Sequence, residues 1–367
     1  MQMQKLKQQK PKKTSQAEVS ELRQDPVSKE WVVVAVGRAK RPNAFRKLCR
    51  PTYKQPRRKC PFCNLEKKEY KPDKVILKKN LNLKTKFAKK LEKTGDLQIW
   101  KGKPWSTIVI PNKYPSFIQG SKLTSQTKGP FTILPGRGYH EVLITASHNL
   151  SFGQLPTEKL VEIIDCYHQR YLDLRKRQFI RYVSIIHNHG REAGASLTHP
   201  HSQIFAIPIM PRDIHRSLRG SKQYFRKTNR CVHCDMIAWE KKEKTRIIYE
   251  NKDFILLAPF VPTVAFETRI YPKKHQAYFE KITKSEKQNL AKCFKKALYK
   301  LYKALNDPPY NFFLHTAPCD NKEDYGHYHW HFEILPKITI WAGFELATGI
   351  EISTVDPCQA AQILKKA

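Results

Sequence analysis

At 367 residues, 40% of them hydrophobic, the chain is long enough to bury a sizeable core and to form about two domains of ordinary size. No run approaches the roughly 18 apolar residues of a membrane helix, and the opening Met-Gln-Met-Gln-Lys-Leu-Lys lacks the apolar core of a secretory signal, so the expectation is a cytoplasmic protein without a membrane partner. Lysine and arginine number 68 against 32 acidic residues; the net charge of +36 favours anionic partners, while an odd count of nine cysteines argues against a disulfide framework.

Residues 1–18 are rich in lysine and glutamine and too poor in apolar residues to pack, which predicts a disordered basic tail. Glu30-Trp-Val-Val-Val-Ala-Val36 is rich in β-branched residues and reads as a buried strand. Cys60-Pro-Phe-Cys63 follows, then a lysine-rich stretch over about 64–103 that reads as an insertion with a short helix near Lys84–Lys93. A strand is expected to end at His148. Thr157, after Pro156, opens a helix with Leu160, Ile163, Ile164, Tyr167, Tyr171 and Leu174 at helical spacing, and a strand is expected over Phe179–His187.

The same marks then recur. Cys231-x-x-Cys234 precedes a strand ending at His275. Thr283-Lys-Ser-Glu286 is a capping box ahead of Leu290, Phe294, Ala297, Leu298, Leu301 and Leu305, and a strand covers Tyr310–Thr316. From the mid-copy histidine to the first histidine of the following H-x-H the distances are 51 and 54 residues, and Glu141 and Glu267 stand seven and eight residues before His148 and His275. This internal duplication predicts an α+β fold of two halves, 19–212 and 213–367, each an antiparallel sheet with a packed helix. Cys49, Cys166, Cys293, Cys319 and Cys358 fall outside the repeated marks and read as incidental thiols.

Asn188-His-Gly-Arg-Glu-Ala-Gly-Ala-Ser-Leu-Thr-His-Pro-His-Ser-Gln203 carries the chemistry. If the chain is extended from His199, then His199, His201 and Gln203 share a face, so one histidine can be anchored while its neighbour meets a substrate. A neutral imidazole with one nitrogen hydrogen-bonded to a carbonyl keeps the other free to attack. In the second copy Phe332 and Glu333 replace Ser202 and Gln203, and a glutamate would repel a phosphate. Only His201 is expected to be a nucleophile, and His331 a structural histidine.

The pattern N-x-G-x-x-A-G-A-S-x-x-H-P-H-S-Q resembles the active-site segment of the galactose-1-phosphate uridylyltransferase family, in the histidine-triad superfamily. Glu21-Leu-Arg-Gln-Asp-Pro-Val27, Arg38-Ala-Lys-Arg-Pro42, Cys60-Pro-Phe-Cys63, Asn112-Lys-Tyr-Pro115, His140-Glu-Val142, His329-Trp-His-Phe-Glu-Ile-Leu-Pro336 and Ala342-Gly-Phe-Glu-Leu-Ala-Thr-Gly349 follow the family's order. The resemblance implies two histidine-triad-like halves joined into one extended sheet, and a homodimer. It implies that His201 attacks the α-phosphorus of a nucleoside diphosphate sugar and forms a nucleotidyl-histidine, which a second sugar 1-phosphate then resolves. Gln203, Ser196 and the backbone of Gly194 and Ala195 would donate hydrogen bonds to the phosphoryl group. Asn112 and Asn188 would contact nucleotide or phosphate, Arg38 and Arg41 the phosphates, and Glu345 the sugar hydroxyls.

Cys60, Cys63, His148 and His199 supply the two thiolates and two imidazoles of a closed, structural zinc site. Cys231, Cys234, His275 and His329 stand at matching places, with His233, His327 and His331 close enough in sequence to compete for the fourth position. The leading expectation is uridylyl exchange between UDP-glucose and galactose 1-phosphate. An adenylyl-transferring relative such as ADP-glucose phosphorylase shares His201-Ser-Gln203 and is the alternative. A zinc-containing nucleic-acid-binding protein is more remote, because the basic residues lack interleaved aromatic platforms.

Overall fold

A computed structural model of the chain describes residues 20–36, 55–67, 74–120, 122–320 and 322–367. The expected basic tail, Arg38, Arg41 and Cys49 lie outside the described residues. No helix among them is long and apolar enough to cross a membrane.

The first half runs through β1 (Glu21–Gln24), β2 (Trp31–Val34), β3 (Leu77–Asn80), α1 (Lys86–Lys93), β4 (Ile99–Trp100), β5 (Lys103–Pro111), β6 (Gln126–Lys128), β7 (Phe131–Ile133), β8 (Tyr139–Thr145), α2 (Thr157–Leu174), β9 (Tyr182–His189) and β10 (His201–Ile207). The second comprises α3 (Arg212–Thr228), α4 (Val232–Glu243), β11 (Ile247–Glu250), β12 (Phe254–Leu257), β13 (Thr268–Pro272), α5 (Lys284–Ala304), β14 (Tyr310–His315), β15 (His331–Pro336), α6 (Gly343–Thr348), β16 (Glu351–Ser353) and α7 (Pro357–Lys366).

Eleven of the described strands form one sheet, ordered β11-β12-β13-β15-β14-β9-β10-β8-β5-β3, with β4 on β5. The duplication is visible in that order: β8, β10 and β9 of one half correspond to β13, β15 and β14 of the other. The halves meet where β9 and β14 pair antiparallel, Asn188 opposite Asn311. The fold is therefore α+β, two histidine-triad-like halves joined into one extended sheet.

The apolar stripes expected for the two long helices lie against one face of the sheet, where α2 and α5 share a single core. On α5 the capping box is formed: Glu286 N–H donates to Thr283 Oγ1, and Thr283 N–H donates to the Glu286 carboxylate at 2.7 Å. Expected strand ends shift where the backbone forces them. Phe179 takes a left-handed φ of +68°, and the Ile180 N–H closes a turn on the Arg177 carbonyl, so β9 starts only at Tyr182. Pairing with β14 then carries it on to His189.

The opposite face is also covered, since β8 and β10 are buried on both sides. Over the first half, Phe62, Leu65, Leu81, Ala88 and Leu91 form the second layer. The lysine-rich stretch thus does more than decorate: β3 pairs with β5 and extends the main sheet. Over the second half lie α3 and α4, neither anticipated from the sequence. The ribbon β1–β2 crosses to the second half, where β2 pairs parallel with β16.

Gly220 in α3 lets that ribbon pack closely, because a Cβ there would stand 1.7 Å from the Val27 carbonyl oxygen. Gly220→Ala should therefore destabilise the protein by about 1–3 kcal/mol through overpacking. Urea unfolding measures this, and an unchanged midpoint would contradict the packing described.

Candidate active site and metal centres

His148 and His199 stand just outside strand ends, His148 three residues past β8 and His199 two before β10. Each uses its outer nitrogen on main chain: His148 Nε2 donates to the Gln55 carbonyl and His199 Nε2 to the Thr145 carbonyl, both at 2.7 Å. Their Nδ1 atoms must then carry lone pairs, and these face each other across 3.3 Å. Cys63 Sγ lies 3.2 Å from the first and 3.4 Å from the second, and Cys60 Sγ 3.6 Å from His199 Nδ1. Ligands at about 2.0–2.3 Å around a tetrahedral ion stand roughly 3.3–3.8 Å from one another. Two converging lone pairs repel unless a cation lies between them, so the donor set and its spacing both fit a metal. A hydrogen bond from Cys63 pulls the Cys60 thiol below its ordinary range, against the opposing effect of burial.

The second cluster repeats the device. His275 Nε2 donates to the Gly326 carbonyl at 2.7 Å and His329 Nε2 to the Pro272 carbonyl at 2.9 Å. Cys234 Sγ is 3.5 Å from each Nδ1, and Cys231 Sγ is 3.9 Å from that of His329. The fourth position, open in sequence, falls to His275. His233 instead packs among Tyr271, Tyr328 and His331.

His201 opens β10, two residues beyond the anchored His199. Its Nδ1 donates to the His199 carbonyl at 2.8 Å, so Nε2 keeps its lone pair, and no described residue hydrogen-bonds to it. Burial holds this imidazole down to about 4, hence neutral at pH 7. Phe62, from the Cys60-x-x-Cys63 loop, meets the ring edge-on at 5.1 Å. On the reverse face Ser202 Oγ is 2.6 Å from Tyr167 Oη and 3.1 Å from His187 Nδ1, which ties the strand to α2.

Around His201 stand three carboxamides whose oxygens are already engaged. Gln203 Oε1 lies 2.7 Å from His140 Nε2. Asn112 Oδ1 accepts the Tyr114 N–H at 2.9 Å. Asn188 Oδ1 accepts from Asn311 Nδ2 at 2.8 Å, and Asn311 is fixed by also donating to the Ala193 carbonyl at 2.7 Å. Gln203 and Asn188 are thereby left with their N–H₂ groups to offer, while that of Asn112 lies 3.0 Å from His140 Nε2. Gly194, at a left-handed φ of +83°, turns the chain toward Asn188. The expected backbone donors differ from the structure: Gly194 N–H bonds to the Arg191 carbonyl and Ala195 N–H to the Gly190 carbonyl, so both are engaged within the turn. The neighbouring Ser196 is exposed.

In the second half, His331 Nδ1 donates to the His329 carbonyl at 3.1 Å, as His201 does to His199. Its Nε2, however, is 3.3 Å from Glu333, which also meets Arg269 at 3.3 Å. Burial opposes ionisation of Glu333, but Arg269, His315 and His331 overcome it and hold the carboxyl low. The ribbon residues Trp31 and Val32 border the cavity of about 280 Å³ over this site. Glu345 caps its own short helix through the Ala342 N–H, and Trp341 and Gly349, which flank α6, border the same second-half cavity.

Residues 9–211 match the galactose-1-phosphate uridyl transferase N-terminal domain, and residues 217–349 its C-terminal domain. An ADP-glucose phosphorylase of Arabidopsis thaliana is 31% identical over 350 residues, 94% of this chain and 92% of that protein. The chain belongs to the galactose-1-phosphate uridylyltransferase family. A galactose-1-phosphate uridylyltransferase of Thermotoga maritima is 29% identical over 356 residues, 94% of this chain and 98% of that protein. Among solved structures, ADP-glucose phosphorylase from Arabidopsis thaliana with bound ADP-glucose matches with a TM-score of 0.74 at 29% identity, over 95% of this chain and 99% of that one. Uridylyltransferases transfer nucleotidyl groups, so the family places this chain among nucleotidyltransferases.

Sequence reading passed over Asn311, Tyr167 and His187 as parts of the site, and took His140 only as a motif letter. Parity along β8 was the available signal, since His140, Val142 and Ile144 share one face of the strand. Tyr167→Phe, which removes the hydroxyl facing Ser202, should lower unfolding free energy by about 1–2 kcal/mol. A chemical denaturation curve superimposable on that of the parent would contradict this buried bond.

Proposed function

We propose that the chain is a hexose-1-phosphate nucleotidyltransferase working through a nucleotidyl-His201 intermediate. The observation that carries this is the His201 ring, donating from Nδ1 to the His199 carbonyl while Nε2 keeps its lone pair, with Gln203 two residues on along the same strand. Nε2 attacks the α-phosphorus of a nucleoside diphosphate hexose; a P–N bond forms as the P–O bond to hexose 1-phosphate breaks. The ring gains positive charge, and the His199 carbonyl, already accepting from Nδ1, stabilises it. An incoming hexose 1-phosphate then attacks phosphorus, and the P–N bond breaks.

The amide groups of Gln203, Asn112 and Asn188 donate to the phosphoryl oxygens without adding a competing nucleophile. Ser196 adds a hydroxyl, while Gly194 and Ala195 shape the turn that brings it near. Arg38 and Arg41 would meet the phosphates. Glu345 would hold the sugar from a second copy in a homodimer, since in its own chain Trp341 and Gly349, which flank its helix, border the other half's cavity. Exposed Ile340, Trp341, Phe344 and Leu346 beside it are apolar surface such a copy would cover.

Zinc suits both Cys₂His₂ clusters, and with four protein ligands each site is closed. The first would hold His199, and through it His201. For the donor we put UDP-glucose with galactose 1-phosphate first, the reaction for which the matching domains are named. Adenylyl transfer from ADP-glucose is the second reading, favoured by the 31% identity to ADP-glucose phosphorylase.

Incubation with UDP-glucose or ADP-glucose labelled in the α-phosphoryl group tests both. One donor should leave one nucleotidyl group per chain on His201, and His201→Asn should lose the label and slow turnover on the order of 10⁴-fold or more. Labelling by neither donor, or full turnover in His201→Asn, would sink the proposal. Elemental analysis should find two zinc ions per chain, falling to one in Cys63→Ser and also in Cys231→Ser. A zinc-free parent protein with native stability would rule out the structural role.

A further inference from the structure

We propose that His140 is a positioning residue for catalysis: it sets which way the Gln203 carboxamide faces and so presents its N–H₂ group, not its oxygen, to the phosphoryl group. The inference rests on the reading of Gln203 as a phosphoryl donor. The argument starts from a group that has no choice. The Ser116 main-chain N–H points at His140 Nδ1 at 3.2 Å, and a backbone N–H can only donate. Nδ1 therefore carries a lone pair, and in the neutral ring the proton sits on Nε2. That Nε2–H stands 2.7 Å from the Gln203 side chain and can only be met by an acceptor, the Oε1 atom.

With its oxygen held by His140, Gln203 has only the amide nitrogen left to offer. In the other tautomer Nδ1–H would confront Ser116 N–H, and the glutamine would rotate to donate to the ring. Its oxygen lone pairs would then face phosphoryl oxygens and repel them. One proton position on a ring that need not touch the substrate thus decides the sign of the interaction at the reacting centre.

The surroundings keep the ring in this state. His140 is only 7% exposed, stacks on Phe205 with centroids 4.0 Å apart, and is pushed below the ordinary histidine range by burial, which the Gln203 hydrogen bond only partly offsets. Asn112, whose oxygen is held by the Tyr114 N–H, brings its amide nitrogen to 3.0 Å from the same Nε2, a donor that competes for the ring against the shorter 2.7 Å contact to Gln203 Oε1. Gly138 supports the arrangement from below: a Cβ there would stand 2.3 Å from the Ala206 carbonyl oxygen, so β8 and β10 could not approach so closely beside His140 and Phe205.

The test is the rate at which labelled donor loads His201 in His140→Phe, His140→Gln, Gln203→Ala and the double variant His140→Phe with Gln203→Ala. His140→Phe keeps an aromatic ring for Phe205 and removes the donor; loading should slow about 10²-fold, the size of losing one oriented oxyanion-type donor. His140→Gln, whose amide can donate to Gln203, should recover most of that loss. In the double variant the phenylalanine should add no further slowing to that of Gln203→Ala. Loading of His140→Phe within twofold of the parent, or independent multiplication of the two losses, overturns the inference. Ring ¹⁵N shifts of His140 in the parent protein at pH 7 give a readout that needs no activity and no variant. The Nε2–H tautomer is expected, and an Nδ1–H tautomer overturns the inference. A parent protein that takes label from neither donor defeats the nucleotidyl-transfer reading instead, and the ring shifts still decide the His140–Gln203 bond.

Discussion

Two imidazoles whose outer nitrogens are committed to main-chain carbonyls set the geometry on which the active half depends. With Gln55 and Thr145 taking the Nε2 protons of His148 and His199, the Nδ1 lone pairs are forced to converge at 3.3 Å beside two sulfurs. Such a cluster is stable only around positive charge, and so couples a loop at residues 60–63, the end of β8 and the start of β10. His199 works twice in this arrangement. Its ring belongs to the cluster, and its carbonyl receives the His201 Nδ1–H. Slack at the cluster would pass directly to His201, the proposed nucleophile, where a displacement of about 1 Å can cost about 10²-fold in rate.

The second half shows what the same frame becomes without a substrate face. Its Cys₂His₂ cluster is kept, and His331 leans on the His329 carbonyl as His201 leans on His199. Two changes convert the site into scaffold. Glu333 stands where Gln203 does and is bound up with buried Arg269, which also pairs with Glu267 at 2.7 Å. Over it lies the ribbon of β1 and β2, fastened to β16 from the other end of the chain. The corresponding glutamate of the first half, Glu141, forms a buried pair with Arg170 at 2.7 Å and binds β8 to α2. The repeated glutamates are therefore both partners of a buried arginine: Glu141 binds β8 to α2, while Glu267 pairs with Arg269, which in turn meets Glu333.

Much of this was legible because it is local or repeated. The capping box of α5, the stripe of α2 and the two C-x-x-C pairs with their histidines depend on residues close in sequence or on marks that occur twice. The antiparallel halves followed from the same repetition. What escaped reading is set by register between distant strands. The bond of His140 to Gln203 requires β8 beside β10, and that of Asn311 to Asn188 requires the junction of the halves. No pattern in either segment announces the pairing of β2 with β16. Helices α3 and α4 escaped for other reasons: in α3 the apolar positions are few and diluted by lysine and arginine, and in α4 they cluster without a helical stripe, so tertiary burial of residues such as Ile214, Leu218 and Ile237 decides them. In the turn at 190–195 the N–H groups of Gly194 and Ala195, expected as donors, close instead on carbonyls of the turn itself, where Gly190 and Gly194 take left-handed backbone.

The contrast between the chain's charge and its site follows from what each must do. A net charge of +36 acts at long range and raises the local concentration of any phosphorylated ligand, whichever face the lysines occupy. The donors that the proposed function assigns in the described part of the site are instead neutral: Gln203, Asn112, Asn188 and the Ser196 hydroxyl. A fixed ammonium beside the phosphorus would bind substrate and product as firmly as anything between them, which lowers KM without lowering the barrier. Oriented amides respond to where charge gathers, provided their oxygens are turned away. That condition is met in Gln203, Asn112 and Asn188 by three different partners, an imidazole, a main-chain N–H and a second asparagine. Among the described residues of the proposed site, it is the orientation of these neutral dipoles that the three contacts control.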